Sequence, residues 1–238
     1  MKTLWSLALL VVLLGCRETR LTLTVTLPGA GGEVGPVAGV TVMALPYDRD
    51  SILASLENEA PTARPHTAEL DSLFHLFRGP FGEATRLATQ ADRLGRVVRT
   101  AEADPARAGE VPALRDSLAA LERQRTLAGA RLDSLRRQVG PRIDTLRADV
   151  LAWERAAYRR YDEVTAALTS NRMVPAVSDT TRSDGVARLY LPPGSRRWWV
   201  YARSFNSGDP HSEWYWNIPV TGPRLTLDTA TARLRPRY

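Results

Sequence analysis

The sequence is short of the residues from which disulfides, metal sites and most catalytic sites are made. Cys16 is the only cysteine, so no intramolecular disulfide is possible. His211 and Glu213 are two possible metal ligands two positions apart, but a zinc site normally takes three or four. Neither the other two histidines, His66 and His75, nor Cys16 is near this pair in sequence. Serine-hydrolase, phosphate-loop and dinucleotide motifs are also missing. We therefore expect a non-catalytic protein without a metal or cofactor.

Lysine is almost absent, and arginine carries the positive charge. Of the 32 basic residues only Lys2 is lysine, and the formal net charge is +6. A strongly basic chain is often a partner of nucleic acid or of an anionic membrane surface. Here arginine alternates with Asp and Glu along the central part of the chain, and no dense basic run forms. This pattern argues against nucleic-acid binding.

The only long apolar run lies at the N-terminus. A short positive start precedes the run from Leu4 to Leu14, which is interrupted only by Ser6. As a helix this run would be about 16 Å long, whereas the hydrocarbon core of a bilayer is about 30 Å thick. The run is therefore too short to span a membrane comfortably and has the length of a signal-peptide core.

The end of this run resembles the lipobox of bacterial lipoproteins, because Leu13–Cys16 reads Leu-Leu-Gly-Cys. The resemblance implies removal of a signal peptide, residues 1–15, and attachment of lipid to the Cys16 thiol. Two or three acyl chains anchor a protein stably, since each buried CH₂ contributes about 0.8 kcal/mol. By resemblance to lipoproteins of diderm bacteria, Arg17 rather than an aspartate directly after the cysteine favours the outer over the inner membrane. The protein would then face the periplasm or the cell exterior. An uncleaved segment would remain as a short N-terminal membrane helix.

Both ends of the remaining chain have the period-two alternation of β-strands. Arg20 to Leu27 alternates apolar residues with threonine or arginine, and Gly39 to Leu45 follows a glycine-rich turn. After Asn171 the alternation returns. Further strands are predicted within the segments 182–194, 197–203, 213–219 and 224–229.

Two of these segments resemble the carboxypeptidase regulatory-like, or transthyretin-like, β-sandwich domains. They are Gly35 to Val42, a Gly/Pro turn leading into alternating valines, and Asp184 to Gly194, which reads D-G-V-A-R-L-Y-L-P-P-G. Asp184-Gly185 is predicted to supply a turn at the start of the second segment. The resemblance implies a seven-stranded antiparallel, prealbumin-like sandwich built from residues 16–50 and 171–238. This fold serves many purposes and implies no particular activity.

Residues 51–170 are predicted to form a long helical hairpin inserted after the second strand. Asp50 or Ser51 is expected to cap a short first helix. The Gly79-Pro80-Phe81-Gly82 stretch is expected to break the outgoing arm, and residues 102–112 are expected to reverse the chain. Arms of about 40 residues would project roughly 60 Å.

The returning arm has the clearest periodicity, an a/d seam of about four heptads as in a coiled coil. Its positions are Leu114, Leu118, Leu121, Arg125, Ala128, Leu132, Leu135 and Val139. An insert must leave and re-enter neighbouring strands, which requires an even number of arms. Gly140-Pro141 is therefore predicted to be a kink within one arm rather than a turn. Arg125 is expected to pair across the hairpin, to face a third element, or to lie off the seam if the pattern drifts there.

Six aromatic residues are the candidate binding residues. They are Trp198, Trp199, Tyr201, Trp214, Tyr215 and Trp216, on two adjacent predicted strands. Alternation places Trp199 and Tyr201 on one face, and Trp214 and Trp216 on another. One set is expected to fill the core, and the other to face the helices, a partner surface or a sugar ring. His75 is expected to be a partly buried seam residue.

Together these features predict an α+β protein, a β-sandwich with an inserted coiled-coil hairpin, preceded by an N-terminal signal or anchor helix. The predicted function is that of a structural or adaptor lipoprotein, such as an accessory subunit of a membrane complex on its periplasmic side. Its expected partners are membrane lipid, through Cys16, and one or more proteins, but not nucleic acid. The alternative function is a surface glycan-binding module that uses the Trp-rich strands.

Overall fold

The computed structural model describes residues 19–29, 32–172, 174–192 and 197–238, and confirms the α+β class. The strands are β1 Thr19–Pro28, β2 Val34–Pro36, β3 Thr41–Leu45, β4 Val177–Thr180, β5 Val186–Leu191, β6 Trp199–Phe205, β7 Ser212–Pro219, β8 Arg224–Leu227 and β9 Arg233–Pro236. The helices are α1 Arg49–Asn58, α2 Ala68–Ala103, α3 Val111–Ala157 and α4 Tyr161–Arg172, and a 3₁₀ turn, Pro105–Glu110, joins α2 to α3. The predicted signal peptide, residues 1–15, and Cys16 lie outside the described residues.

The strands form two sheets. In the four-stranded sheet, β1 pairs antiparallel with β2 and β5 and parallel with β8. The five-stranded sheet has the order β4-β3-β6-β7-β9, with antiparallel pairs throughout. The described residues thus contain nine strands instead of the predicted seven, and the helices follow the third strand rather than the second. Strands β2, β4 and β9 have only three or four residues each, too few for a recognisable alternation.

A single apolar core contains residues from both sheets. In β1 the alternation is complete, since Leu21, Leu23 and Val25 are fully buried while the intervening threonines are not. Other members of this core are Val42, Ala44, Ala187, Leu189, Val200, Ala202, Trp216 and Leu227. Burial of one large apolar side chain stabilises a fold by about 1.5–3 kcal/mol. The apolar alternation that predicts the strands therefore also holds the two sheets together.

Helix α1 begins after Asp48. The Asp48 carboxylate accepts hydrogen bonds from the backbone N–H of Asp50, at 3.0 Å, and of Ser51, at 3.4 Å. It also accepts one from the side-chain amide of Asn217 on β7, at 2.6 Å, which ties the helix start to the five-stranded sheet. The predicted cap at Asp50 or Ser51 is wrong by two or three positions, and Asp50 is left with its side chain directed towards β7 and β9.

Helices α2 and α3 form an antiparallel hairpin. Glu102 near the end of α2 pairs with Arg115 near the start of α3, at 2.6 Å, and Glu69 at the other end pairs with Arg142, at 2.7 Å. The interior between them is apolar, with buried Leu70, Phe74, Phe77, Leu132, Ile143 and Val150.

Both long helices continue through an internal proline. Pro141 lies within α3, so the Gly140-Pro141 pair does not reverse the chain, as closure of the insert requires. The predicted break at residues 79–82 is wrong, because α2 runs unbroken through Pro80. Phe77 is buried and Phe81 packs against the hairpin core, and this packing outweighs the local cost of a helical proline, about 3 kcal/mol.

Two seam assignments also change. Arg125 is exposed and pairs with Glu122 on its own helix, at 3.4 Å, so it lies off the seam where the heptad pattern drifts. His75 is exposed rather than partly buried, because Phe74 and Phe77 take the inward positions of that turn.

The outgoing arm of the hairpin contacts two of the connections between strands. Arg78 on α2 donates to the buried carboxylate of Asp209, at 2.7 Å, and Arg93 pairs with Glu33 in the β1–β2 connection, at 3.2 Å. Between Arg93 and the start of α3 at Val111, no described residue forms an ion pair or hydrogen bond with the strands or their connections. The remaining ten residues of α2 rise by about 15 Å, far less than the predicted projection of 60 Å.

His211, directly before β7, lies at the junction of hairpin and sheet. Its ring stacks on Phe74 with centroids 4.3 Å apart and meets the edge of Phe77 at 4.9 Å. Its Nδ1 lies 3.2 Å from Nη2 of Arg147 on α3. Burial, and then the charge of Arg147, lower the pKa of His211 below its usual value of 6.5. Asp209 opposes this shift, while Arg136 and Arg237 add to it.

Replacing His211 with phenylalanine is expected to flatten the pH dependence of stability below about pH 6.5. Because the folded pKa is depressed, the unfolded chain takes up the proton more readily. The stability due to neutral His211 is therefore complete above pH 6.5 and is lost as the pH falls through the folded pKa. Urea unfolding at several pH values should show a steeper decline for the wild type than for His211→Phe. The exposed His75→Phe is the control and should keep the wild-type slope; equal slopes for wild type and His211→Phe would contradict the assignment.

Candidate functional site

The six candidate aromatic residues divide between the two faces of the five-stranded sheet. Trp198 and Trp216 are buried in the core shared by the sheets, and Trp214 packs against it. On the opposite face, Trp199 and Tyr201 are half-buried and Tyr215 is buried. One set fills the core, as predicted, and on the other face Tyr201 and Tyr215 contact helix α1. They do not form one exposed strip, and a binding role for them stays a prediction.

The outer face of the five-stranded sheet forms the floor of a cleft of about 740 Å³, within the usual range for binding pockets. Its walls come from α1, the last turns of α3 and the residues after β9. This cleft, called the Tyr/Arg cleft below, is lined by arginines (Arg49, Arg64, Arg203, Arg233, Arg235 and Arg237), tyrosines (Tyr158, Tyr201, Tyr215 and Tyr238) and acidic residues (Asp50, Glu57, Glu154 and Glu213).

Tyr215 is the buried centre of this cleft. Its hydroxyl donates to the Asp50 carboxylate and accepts from Arg49 Nη1 at 3.2 Å. The guanidinium groups of Arg235 and Arg233 lie over its ring, 3.5 Å and 5.3 Å from the centroid. Burial, and then the hydrogen bond to Asp50, raise the pKa of Tyr215 to about 12. The phenol therefore stays a neutral donor at physiological pH.

Asp50 joins the helix to the C-terminal strand. It forms ion pairs with both Arg233 and Arg235 on β9. Burial raises the pKa of Asp50, but the hydrogen bonds from Tyr215 and Arg233 outweigh it and hold the pKa below its ordinary value. The carboxylate is therefore charged at neutral pH and fixes the positions of two guanidinium groups and one phenol.

The remaining carboxylates of the cleft have partners as well. Glu213 forms two parallel hydrogen bonds with Arg203, at 2.7 and 3.0 Å. Glu57 accepts from the Tyr158 hydroxyl, and Arg64 lies between Glu57, at 3.5 Å, and Glu154, at 3.8 Å. Burial raises the pKa of Glu154 above its ordinary value, against the opposing charge of Arg64.

Two arginines of the cleft have no carboxylate partner among the described residues. Arg49 contacts two tyrosines instead. It donates to the hydroxyl of Tyr215, and its guanidinium lies over the ring of Tyr201, 4.7 Å from the ring centroid. Arg237 lies 6.0 Å from the ring of Phe205. With six arginines and four acidic residues, the cleft has an excess of positive charge. Guanidinium groups bind carboxylates through paired hydrogen bonds, so the cleft is suited to an anionic group.

Sequence reasoning found the tyrosines on the sheet but missed the charged residues around them. Asp50 and Arg49 belong to α1, and Arg233 and Arg235 belong to the unpredicted strand β9. One signal was available, the alternation Arg-Leu-Arg-Pro-Arg at residues 233–237. Within the described part of the chain, no group of three or more His, Cys, Asp or Glu side chains is placed to hold a metal ion.

Comparison with known proteins gives no family for this chain. It matches no protein-family model, no curated protein and no solved structure. Among the described helices, none combines the length and the apolar character needed to cross a bilayer.

Proposed function

We propose that the protein is a non-catalytic adaptor lipoprotein, anchored through Cys16, that binds an acidic segment of a partner protein in the Tyr/Arg cleft. The Leu-Leu-Gly-Cys pattern supports the anchor and a position facing the periplasm or cell exterior, with the outer membrane favoured. Residues 16–50 and 171–238 form a prealbumin-like sandwich in this proposal, and residues 51–170 form its helical insert. The partner belongs to a membrane complex, of which this chain is an accessory subunit.

The proposal rests on the arrangement of arginines around Tyr215. Arginine and tyrosine, together with tryptophan, are enriched among the residues that dominate the binding energy of protein interfaces. Arg233 and Arg235 are held by Asp50 and by the Tyr215 ring, so they lose little side-chain entropy when a partner binds. Arg49 and Arg237 have no carboxylate of their own in the described structure and offer guanidinium groups to acidic residues of a partner.

Reversing the charge of Arg237 is expected to weaken recovery of the partner. The chain is purified from native membranes in mild detergent, and co-purifying proteins are cross-linked and quantified by mass spectrometry. Arg237→Glu should reduce the same protein by at least about tenfold, equivalent to ~1.4 kcal/mol, because like charges would then face each other. Arg131→Glu, an exposed arginine on α3 without an ion pair in the described residues, is the matched control and should leave recovery unchanged.

A chain that is purified as a monomer with no reproducible partner would overturn the adaptor proposal. Equal recovery with Arg237→Glu and with Arg131→Glu would instead remove the cleft as the contact site. The glycan-binding alternative has less support, since Trp198 and Trp216 are buried in the core. A saturable change in tryptophan fluorescence on titration with cell-wall or capsular sugars would favour it, through the half-buried Trp199 and Tyr201.

A further inference from the structure

Three arginines lie together on the outward face of the four-stranded sheet. Arg188 on β5 and Arg224 on β8 flank Thr22 of β1 on either side, and Arg20 lies two residues from Thr22 on the same face. Neighbouring strands are about 4.8 Å apart, so the three arginines share one small area. Together with Pro223 they line an open depression of about 420 Å³.

Among the described residues, these guanidinium groups have no ion-pair partner. None of the three forms an ion pair with an acidic residue of the described chain, and no acidic residue lines the depression. The Asp179 carboxylate accepts the backbone N–H of Arg188, at 2.7 Å, and attracts the charge of that arginine, but it forms no ion pair with it. Three positive charges that lie close together, without an ion-pair partner in the described part of the chain, attract an anion.

The surface formed by Arg20, Arg188 and Arg224, called the arginine surface below, lies at the end of β1 that is closest to Cys16. Cys16 is three positions before Thr19, the first residue of β1. An extended chain spans at most about 3.6 Å per residue, so Cys16 lies within ~11 Å of the start of that strand. Tyr190, paired with Arg20 across the β1–β5 ladder and 53% exposed, extends the surface in the same direction. Tyrosine is typical of protein surfaces at the membrane–water interface.

We propose that Arg20, Arg188 and Arg224 bind the phosphate groups of anionic phospholipids in the membrane that carries the anchor. The proposal rests on the lipid anchor of the proposed function and adds an orientation to it. Each guanidinium can bind two oxygens of one phosphate through parallel hydrogen bonds. The four-stranded sheet then faces the headgroups, and the Tyr/Arg cleft, on the outer face of the other sheet, points away from the membrane towards a partner.

The test places an environment-sensitive fluorophore in the arginine surface of the full acylated chain. Acylated Cys16 has no free thiol, so Tyr190→Cys supplies a single site for an NBD label. The labelled protein is inserted into phosphatidylcholine vesicles with or without phosphatidylglycerol. On anionic vesicles we expect a blue-shifted and several-fold brighter emission that high salt reverses. The control is the same label at Leu127→Cys, on α3, a position that is 61% exposed and far from this surface along the chain. Its emission should be the same on both kinds of vesicle.

The triple variant Arg20→Gln, Arg188→Gln, Arg224→Gln should abolish the response at position 190. Inorganic phosphate should weaken the response no more than sodium chloride of equal ionic strength. A stronger effect of phosphate would assign the surface to free phosphate and overturn the lipid assignment. Circular dichroism of the triple variant verifies that the fold is retained, and the salt titration of the wild-type surface needs no substitution of these arginines.

Different results would refute the proposed anchor and the proposed lipid-binding role of the arginine surface. Association with neutral vesicles measures the anchor, and Cys16→Ser in the full chain should abolish it. An anchored protein whose position-190 label reports the same environment on neutral and anionic vesicles would overturn the arginine surface alone. A wild-type chain that does not associate with neutral vesicles would overturn the anchor, and the proposed orientation with it.

Discussion

Replacing Trp216 with alanine is expected to lower the free energy of unfolding by about 3–5 kcal/mol. The side chain is fully buried in the core shared by the two sheets. Its indole Nε1 donates to the backbone oxygen of Asp228, at 3.2 Å, and lies 3.3 Å from the hydroxyl of Thr231. Alanine would leave a large cavity and remove this donor. The loss is a large part of the 5–15 kcal/mol that stabilises a typical domain.

Urea unfolding followed by far-ultraviolet circular dichroism measures this loss. Trp199→Ala is the matched control, because Trp199 lies on the adjacent strand β6 and is only half-buried; we expect it to lose less than half as much. Trp216→Phe keeps an aromatic ring but loses the hydrogen bonds and should be intermediate. Equal losses for Trp216→Ala and Trp199→Ala would contradict the placement of Trp216 in the core.

Gly185→Ala is expected to destabilise the fold by about 2–5 kcal/mol, for two separate reasons. Gly185 has φ of +73°, where a side chain adds strain of about 1–2 kcal/mol. A Cβ atom would also lie 2.7 Å from the carbonyl oxygen of Val25 and 2.9 Å from Cβ of Pro36, and overpacking of this kind adds about 1–3 kcal/mol. The Gly185 carbonyl accepts the N–H of Val25, at 2.9 Å, so the turn cannot move away without losing this bond.

Gly39→Ala separates the two contributions. Gly39 has φ of +78°, but an added Cβ would meet no atom within 4 Å, so only the backbone strain applies. The difference between the two variants in urea unfolding therefore measures the contact of the 182–186 turn with β1 and β2. If Gly185→Ala were no more destabilising than Gly39→Ala, the close approach of this turn to Val25 and Pro36 would be refuted.

The features predicted correctly from the sequence are those that local pattern determines. Strand β1 has one buried face over its whole length, so its alternation marks it unambiguously. The Asp184-Gly185 turn needs a residue that tolerates positive φ, and glycine marks such positions. The long helices were predicted because a packed helical face recurs every three or four residues.

The wrong predictions are those in which packing overrides a local signal. Gly79-Pro80 is typical of a helix break, yet the apolar contacts of Phe77 and Phe81 carry α2 through it. The hairpin was expected to project freely, because nothing local indicates that Arg78 meets Asp209, 131 positions further along the chain.

The candidate cleft was only partly predictable for the same reason. Tyr201 and Tyr215 follow from the alternation of β6 and β7. The hydrogen bond between Tyr215 and Asp50 spans 165 positions, and the contact between Arg235 and Asp50 spans 185. A single sequence does not indicate which distant residues lie close together in the fold. The charged residues of the cleft could therefore be identified only from the assembled sheet.

The pairing of β1 has a consequence for the biogenesis of this protein. β1 begins at Thr19, but β5 and β8, its two long-range partners, begin only at Val186 and Arg224. Helical hairpins form through local contacts and fold quickly, whereas pairing between distant strands is slow. As the chain is made, the hairpin is complete before the strands that pair with β1 have been synthesised. The apolar face of β1 is unpaired during this time, and an unpaired apolar strand is prone to aggregate. The compartment in which this chain folds must therefore protect one short N-terminal segment until the last third of the chain arrives.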